Sequence, residues 1–136
     1  MTISPQLELL FALSKASSVI TRRFSSQGLS FTDMALLLAI TTADDGKMRA
    51  IDVAEQLGVT ASGITRTLLP LEKIGVVKRE ANPYDGRSSL VMLTAAGKRL
   101  LEDALAHVEE KAADALAGVS DKKLTDTTEV LVQLGK

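Results

Sequence analysis

The middle of the chain holds the side chains best suited to chemistry with a polyanion. Over residues 60–100, seven Lys and Arg stand against three Asp and Glu, a net of +4, while residues 1–59 carry −1 and residues 101–136 carry −4. A basic middle beside an acidic tail suits one face to a polyanion while the rest of the surface keeps the protein soluble. Arg66 offers a planar guanidinium able to bind guanine through two hydrogen bonds. Before it, Thr60, Ala61, Ser62 and Gly63 are small, so a backbone there can approach a groove closely. The hydroxyls of Thr60, Ser62 and Thr65 can meet phosphate or base edges. Lys73, Lys78 and Arg79 supply further positive charge. Arg87, in the run Asp85-Gly86-Arg87, can reach into a narrow, electronegative minor groove, with Asp85 placed to orient it. Taken singly, each of these residues also fits an ordinary solvated surface.

Other chemistry is poorly supplied. The chain has no cysteine, which removes disulfides, thiolate nucleophiles and Cys-based zinc sites, and it has one histidine, His107. Asp103, His107, Glu110 and Asp114 share one side of a helical stretch, which reads more simply as a charged face in solvent than as a metal site. No nucleophile–base pair, metal cluster or phosphate loop is present, so neither enzyme activity nor a cofactor or metal is expected. The longest apolar run, about Ala35 to Ile40, is far too short to span a membrane, and the N-terminus lacks a secretory pattern. A soluble cytoplasmic protein of one domain over residues 1–136 is expected.

The elements that must position these residues can be read from caps and periodicity. Ser4 and Pro5 open a first helix expected to run to Gln27, with Gly28 in the left-handed C-terminal position. Its stripe of Leu9, Leu13, Ala16, Ile20 and Phe24 is widened by Leu7, Leu10 and Phe11, and so needs more than one neighbour. Ser30 and Asp33 form a capping box for a second helix, with Leu29 and Met34 as its hydrophobic staple. That helix ends before Asp44-Asp45-Gly46. A short helix follows over about Ala50 to Leu57, then Gly58-Val59, then a helix from Thr60 to a stop at Gly75. Strands are expected at Val76 to Ala81 and Ser89 to Leu93 around a turn-rich loop. Thr94 caps a long helix stopped by Gly118, and Ser120 caps a last one.

Ala54, Gly58 and Ile64 carry the argument further. A helix-turn-helix needs a small residue where its helices cross, which Ala54 provides, and a turn residue free to take a positive φ, which Gly58 provides. Ile64 then anchors the second helix, with Val53, Leu57, Val59 and Leu68 also expected in the core. Alone, this segment also fits a plain helical hairpin; followed by a strand pair, it reads as a winged helix-turn-helix. On the second helix, Ser62, Arg66 and Lys73 lie opposite Ile64, Leu68 and Leu71. Pro70 costs a regular helix about 3 kcal/mol and is expected to bend or tighten it. Leu69 points away from the expected core with no role assigned.

Val53-Ala54, Leu57-Gly58-Val59, Leu71-Glu72-Lys73, Gly75-Val76-Val77-Lys78-Arg79, Pro83-Tyr84-Asp85-Gly86-Arg87-Ser88 and Leu93-Thr94-x-x-Gly97 together resemble the MarR family of bacterial transcriptional regulators. The resemblance runs from about Met48 to Gly97. It implies a mainly α fold: a winged helix-turn-helix lobe over residues 30–97 with a small β-hairpin wing, and dimerisation helices over 4–27 and 98–134. It implies a homodimer on double-stranded DNA at a pseudo-palindromic operator, acting as a repressor or activator. It also implies the DNA-binding set Thr60, Ala61, Ser62, Thr65, Arg66, Lys73, Lys78, Arg79, Asp85 and Arg87. The resemblance also implies small aromatic or anionic effectors between the dimer helices and the lobe, where Phe11, Phe24, Phe31, Arg22 and Arg23 could line a pocket, although core packing and solvated charge account for each more simply. Arg49 departs from the pattern, standing where a Ser or Thr would cap the first helix of the motif.

Overall fold

A computed structural model describes all of residues 1–136. The elements are α1 (Pro5–Arg23), α2 (Phe31–Thr42), β1 (Lys47–Arg49), α3 (Ala50–Leu57), α4 (Ala61–Lys73), β2 (Val77–Ala81), β3 (Ser89–Leu93), α5 (Ala95–Ala115) and α6 (Asp121–Leu134). A short 3-10 turn at Asp44–Gly46 leads into β1. The strands form an antiparallel sheet in the order β1-β3-β2, with Lys47 opposite Met92 and Lys78 opposite Met92 on its other side. This is a mainly helical protein with a winged helix-turn-helix at its centre.

Helix α2 lies at the heart of the core. Leu36, Leu37 and Ile40 are fully buried, and α2 packs against α1, α3, α5 and β3. Its capping box forms as expected: the Ser30 hydroxyl accepts from the Asp33 amide at 3.0 Å, and the Asp33 carboxylate accepts from the Ser30 amide at 2.9 Å. Leu29 and Met34 are both buried around it. Val53 and Ala54 from α3, Ile64, Leu68 and Leu71 from α4, Val91 and Leu93 from β3, and Leu101, Ala104 and Val108 from α5 complete one continuous core.

Two helices end through the same device. At Gly58 (φ 69°), the Gly58 amide bonds Glu55 O and the Val59 amide bonds Ala54 O at 2.9 Å. At Gly75 (φ 78°), the Gly75 amide bonds Glu72 O and the Val76 amide bonds Leu71 O at 2.9 Å. Each is a Schellman stop, which closes the last carbonyls and turns the chain sharply. The first makes the turn between α3 and α4; the second launches the wing.

Three expectations are corrected. Helix α1 ends at Arg23, not at Gln27, because Ser26 and Leu29 exchange backbone hydrogen bonds across Gln27 and Gly28, both at positive φ. A third strand, β1, precedes α3; three residues are too few to show a strand period. Val59, expected in the core, is exposed just beyond the turn at Gly58. Pro70 lies inside α4, which continues to Lys73 toward the expected stop at Gly75. The Arg66 carbonyl simply lacks the amide it would have had.

The apolar stripe of α1 finds little of this core. Neither α1 nor α6 contains a buried residue, and Leu10, Phe11, Val130, Val132 and Leu134 stand exposed. No helix is long and apolar enough to cross a membrane.

Candidate nucleic-acid interface

The turn at Gly58 sets where α4 begins. Thr60 caps it, its hydroxyl accepting from the Gly63 amide at 3.0 Å and lying 3.3 Å from the Ser62 hydroxyl. Ile64, Leu68 and Leu71 hold the inner side of α4 against α3 and the sheet. Thr60, Ala61, Ser62, Thr65, Arg66 and Lys73 are all exposed on its outer side. The Thr65 hydroxyl donates to the Ala61 carbonyl at 3.0 Å, a local bond that leaves its two lone pairs open to accept.

The wing is held at its base by the start of α5. The Val76 carbonyl accepts from the Thr94 amide at 3.0 Å, and the Thr94 hydroxyl donates to Gly75 O at 2.6 Å. Gly97 lies directly on this joint, where an added Cβ would fall 2.1 Å from the Val76 oxygen. The Leu-Thr-x-x-Gly run is thus a packing requirement. At the tip, side chains brace the backbone: Asn82 Oδ1 accepts from the Tyr84 amide, and Asp85 Oδ1 accepts from the Arg87 amide, both at 3.0 Å. Asp85 therefore orients Arg87 through its backbone. It does not hold the guanidinium, as the sequence had suggested; the amide two residues on is the nearer donor.

Charge pairing divides the cations of the lobe into two groups. Lys47 pairs with Glu80 at 2.7 Å across β3, Arg49 with Asp52, and Arg79 with Glu72. Arg79 also donates to the Ser89 hydroxyl at 3.3 Å, so it ties β2 to α4 and β3. Arg66, Lys73, Lys78 and Arg87 take part in no ion pair. All four are exposed.

Arg49 is the residue the sequence reading undervalued. It makes no side-chain cap for α3. Its guanidinium instead donates to both Asp52 oxygens, at 2.9 and 3.0 Å. These bonds hold the Asp52 carboxyl below the usual carboxylate range and raise Arg49, which also feels the charge of Asp85. An Arg three residues before an Asp at a helix start was the available signal.

A second feature lies behind the lobe. An apolar cavity of about 430 Å³ opens between α1, α2 and α5, lined by Ala16, Val19, Ile20, Phe24, Phe31, Val108, Ala112, Ala115 and Leu116, with Arg23 as its one charged side chain. Phe24 and Phe31 meet edge to face, with centroids 6.2 Å apart. Of the residues expected there, Phe24, Phe31 and Arg23 line the cavity; Phe11 and Arg22 do not. Nearby, α5 clasps the end of α1. His107 Nδ1 lies 2.7 Å from the Ser26 hydroxyl, and Lys111 donates to Arg23 O and Ser25 O. His107 is thus engaged with the α1–α2 connection rather than standing free among the acids of α5.

The comparisons agree with this geometry. The model of the MarR family matches residues 27–88, which span α2, the helix-turn-helix and most of the wing. Over these residues the chain is similar to the MarR family. The curated proteins it matches are HTH-type transcriptional regulators. The HTH-type regulator YdgJ of Bacillus subtilis, itself uncharacterized, is 29% identical over 132 residues, covering 96% of this chain and 79% of that protein. A MarR-family regulator from Rhodococcus sp. RHA1 superposes with a TM-score of 0.85 at 22% identity, covering 98% of this chain and 96% of the other. Two Streptomyces coelicolor regulators each cover 98% of this chain: Sco3205, solved with DNA (TM-score 0.83, 18% identical, 88% of that chain), and PcaV, solved with its natural ligand (TM-score 0.78, 20% identical, 96% of that chain).

Proposed function

We propose that this protein is a MarR-family regulator, a cytoplasmic homodimeric repressor that binds a pseudo-palindromic operator and is released by a small aromatic or anionic effector. It carries out no catalysis. The observation that carries the DNA contacts is the division of charge: Arg66, Lys73, Lys78 and Arg87 stay unpaired while neighbouring Lys47, Arg49 and Arg79 are neutralised. A polyanion supplies the missing counter-charge.

In this reading Thr60, Ala61 and Ser62 bring the start of α4 against the major groove, where backbone amides and hydroxyls meet phosphate. Arg66 and Thr65 face base edges. Lys73 and Lys78 neutralise the backbone, and Arg87 enters the adjacent minor groove from a wing braced by Asp85. Arg79 acts one step back, keeping β2 on α4. Dimerisation is supported by the exposed apolar faces of α1 and α6, which a second copy would cover. A two-fold axis then sets two α4 helices one DNA turn apart.

The cavity between α1, α2 and α5 is within the size range of small-ligand sites, and its single cation suits an aromatic carboxylate. A ligand there releases DNA only if it favours a dimer with a different α4 separation. The Sco3205 complex with DNA and the PcaV complex with ligand support both halves of the reading by analogy of fold.

Selection of genomic fragments with the purified protein tests it. One enriched pseudo-palindrome, bound by two chains and released by aromatic carboxylates in the wild type but not in Phe31→Ala, is the expected result. Weak, uniform binding without enrichment would replace the regulator with a protein-interaction module built on the same fold.

A further inference from the structure

We propose that Leu69 reads the methyl group of a thymine in the operator's major groove. The proposal rests on DNA binding by α4 and adds a residue to its reading face. Ser62, Arg66, Leu69 and Lys73 are spaced by four, three and four residues, so they form one stripe along α4. All four are exposed. Leu68 and Leu71 already fill the inner side of the helix and are buried, so Leu69 has no place in the core. Nor is it part of the apolar faces of α1 and α6, since α4 packs on α3 and β2.

The stripe itself argues against a merely solvated leucine. It holds two unpaired cations, a hydroxyl and no acid. The one acid of α4, Glu72, is turned to Arg79. Leu69 stands three residues beyond Arg66, about 4.5 Å along the axis. Helical leucines lean back toward the N-terminus, which brings its methyl groups toward the level of Arg66. A surface at that level faces base edges when Arg66 does. Those edges are mostly nitrogen and oxygen, and the thymine C5 methyl is the one apolar group that projects from them, where cytosine has only a flat C–H. A leucine in this position therefore selects thymine. Pro70 extends the apolar strip beside it and leaves the Arg66 carbonyl without a helical donor.

The test uses the selected operator with each thymine replaced in turn by deoxyuridine, which removes only the methyl. Affinities are measured by fluorescence anisotropy at one salt concentration for the wild type and for Leu69→Ala. One thymine per half-site is expected to cost the wild type about fourfold on replacement, the factor carried by one buried methyl-sized carbon. Leu69→Ala is expected to bind both operators alike. Its melting curve should match the wild type, since Leu69 is exposed. No thymine with a methyl penalty, or a penalty undiminished in Leu69→Ala, overturns the proposal while leaving DNA binding in place. A wild type that binds no duplex removes the DNA reading and this proposal together.

Discussion

At the scale of single residues, what each cation is paired with matters more than how many there are. Seven Lys and Arg over residues 60–100 had suggested a basic face, and residue types alone grouped Arg79 with Lys78. The fold separates them, because β2 carries Arg79 onto Glu72, which lies in the preceding helix. A pairing created by folding cannot be seen in a one-dimensional charge count. Asp85 and Arg87 were legible as a pair, yet the bond is to the backbone amide, since a short carboxylate meets its own chain more readily than a long, mobile guanidinium. Arg66→Ala is expected to weaken operator binding by about 1–3 kcal/mol and to relax preference at one base pair, checked by binding to a set of single-base variants. Arg87→Ala should weaken binding to all sequences while sedimentation shows the oligomer unchanged. Asp52 supplies a pH prediction. Its folded carboxyl is held below the usual range by Arg49, so its contribution is present above about pH 4 and is lost as pH falls through the depressed value. Melting temperatures of wild type and Asp52→Asn should therefore converge in acid and differ at neutral pH.

Helices and their junctions were the most readable level. Ser4, Ser30, Thr94 and Ser120 each cap the helix that the sequence assigned to them, and Thr60, read as the first residue of its helix, caps it. Gly58 and Gly75 stop α3 and α4 where a positive φ was needed. Such signals are legible because a cap or a Schellman glycine is a local requirement, complete within six residues or so. The end of α1 was not, because apolar Phe24 continues the helical stripe although the chain leaves the helix to make a tight turn. Strand β1 was not either; it exists only through its pairing with β3. The joint between wing and α5 provides a sharp test at this scale. Gly97→Ala would drive a methyl into the Val76 carbonyl and should cost the upper part of the roughly 1–3 kcal/mol typical of overpacking, read from denaturant unfolding. The same change should loosen the wing and weaken DNA binding beyond its effect on stability.

For the whole molecule, one chain accounts for its lobe but not for its outer helices. The core is continuous from α2 to α5, whereas Phe11 on α1 and Val132 on α6 remain 61% and 56% exposed. A second copy covers these faces in the proposed dimer, and Phe11→Glu is expected to yield folded monomers with poor operator affinity, visible in sedimentation and binding together. The central claim is that the unpaired cations of this dimer meet phosphates, and the salt dependence of operator affinity tests it most directly. With Arg66 on the bases, Lys73 and Lys78 meet phosphate and Arg87 lies between the phosphates that flank the minor groove, which leaves three counterion-displacing cations in each protomer. The logarithm of the binding constant should then fall with the logarithm of salt concentration at a slope of about −5, steepening toward about −7 if Arg66 also displaces counterions. Lys78→Ala in both protomers should reduce that slope by about 2. A slope near zero, or one unmoved by Lys78→Ala, would contradict the account.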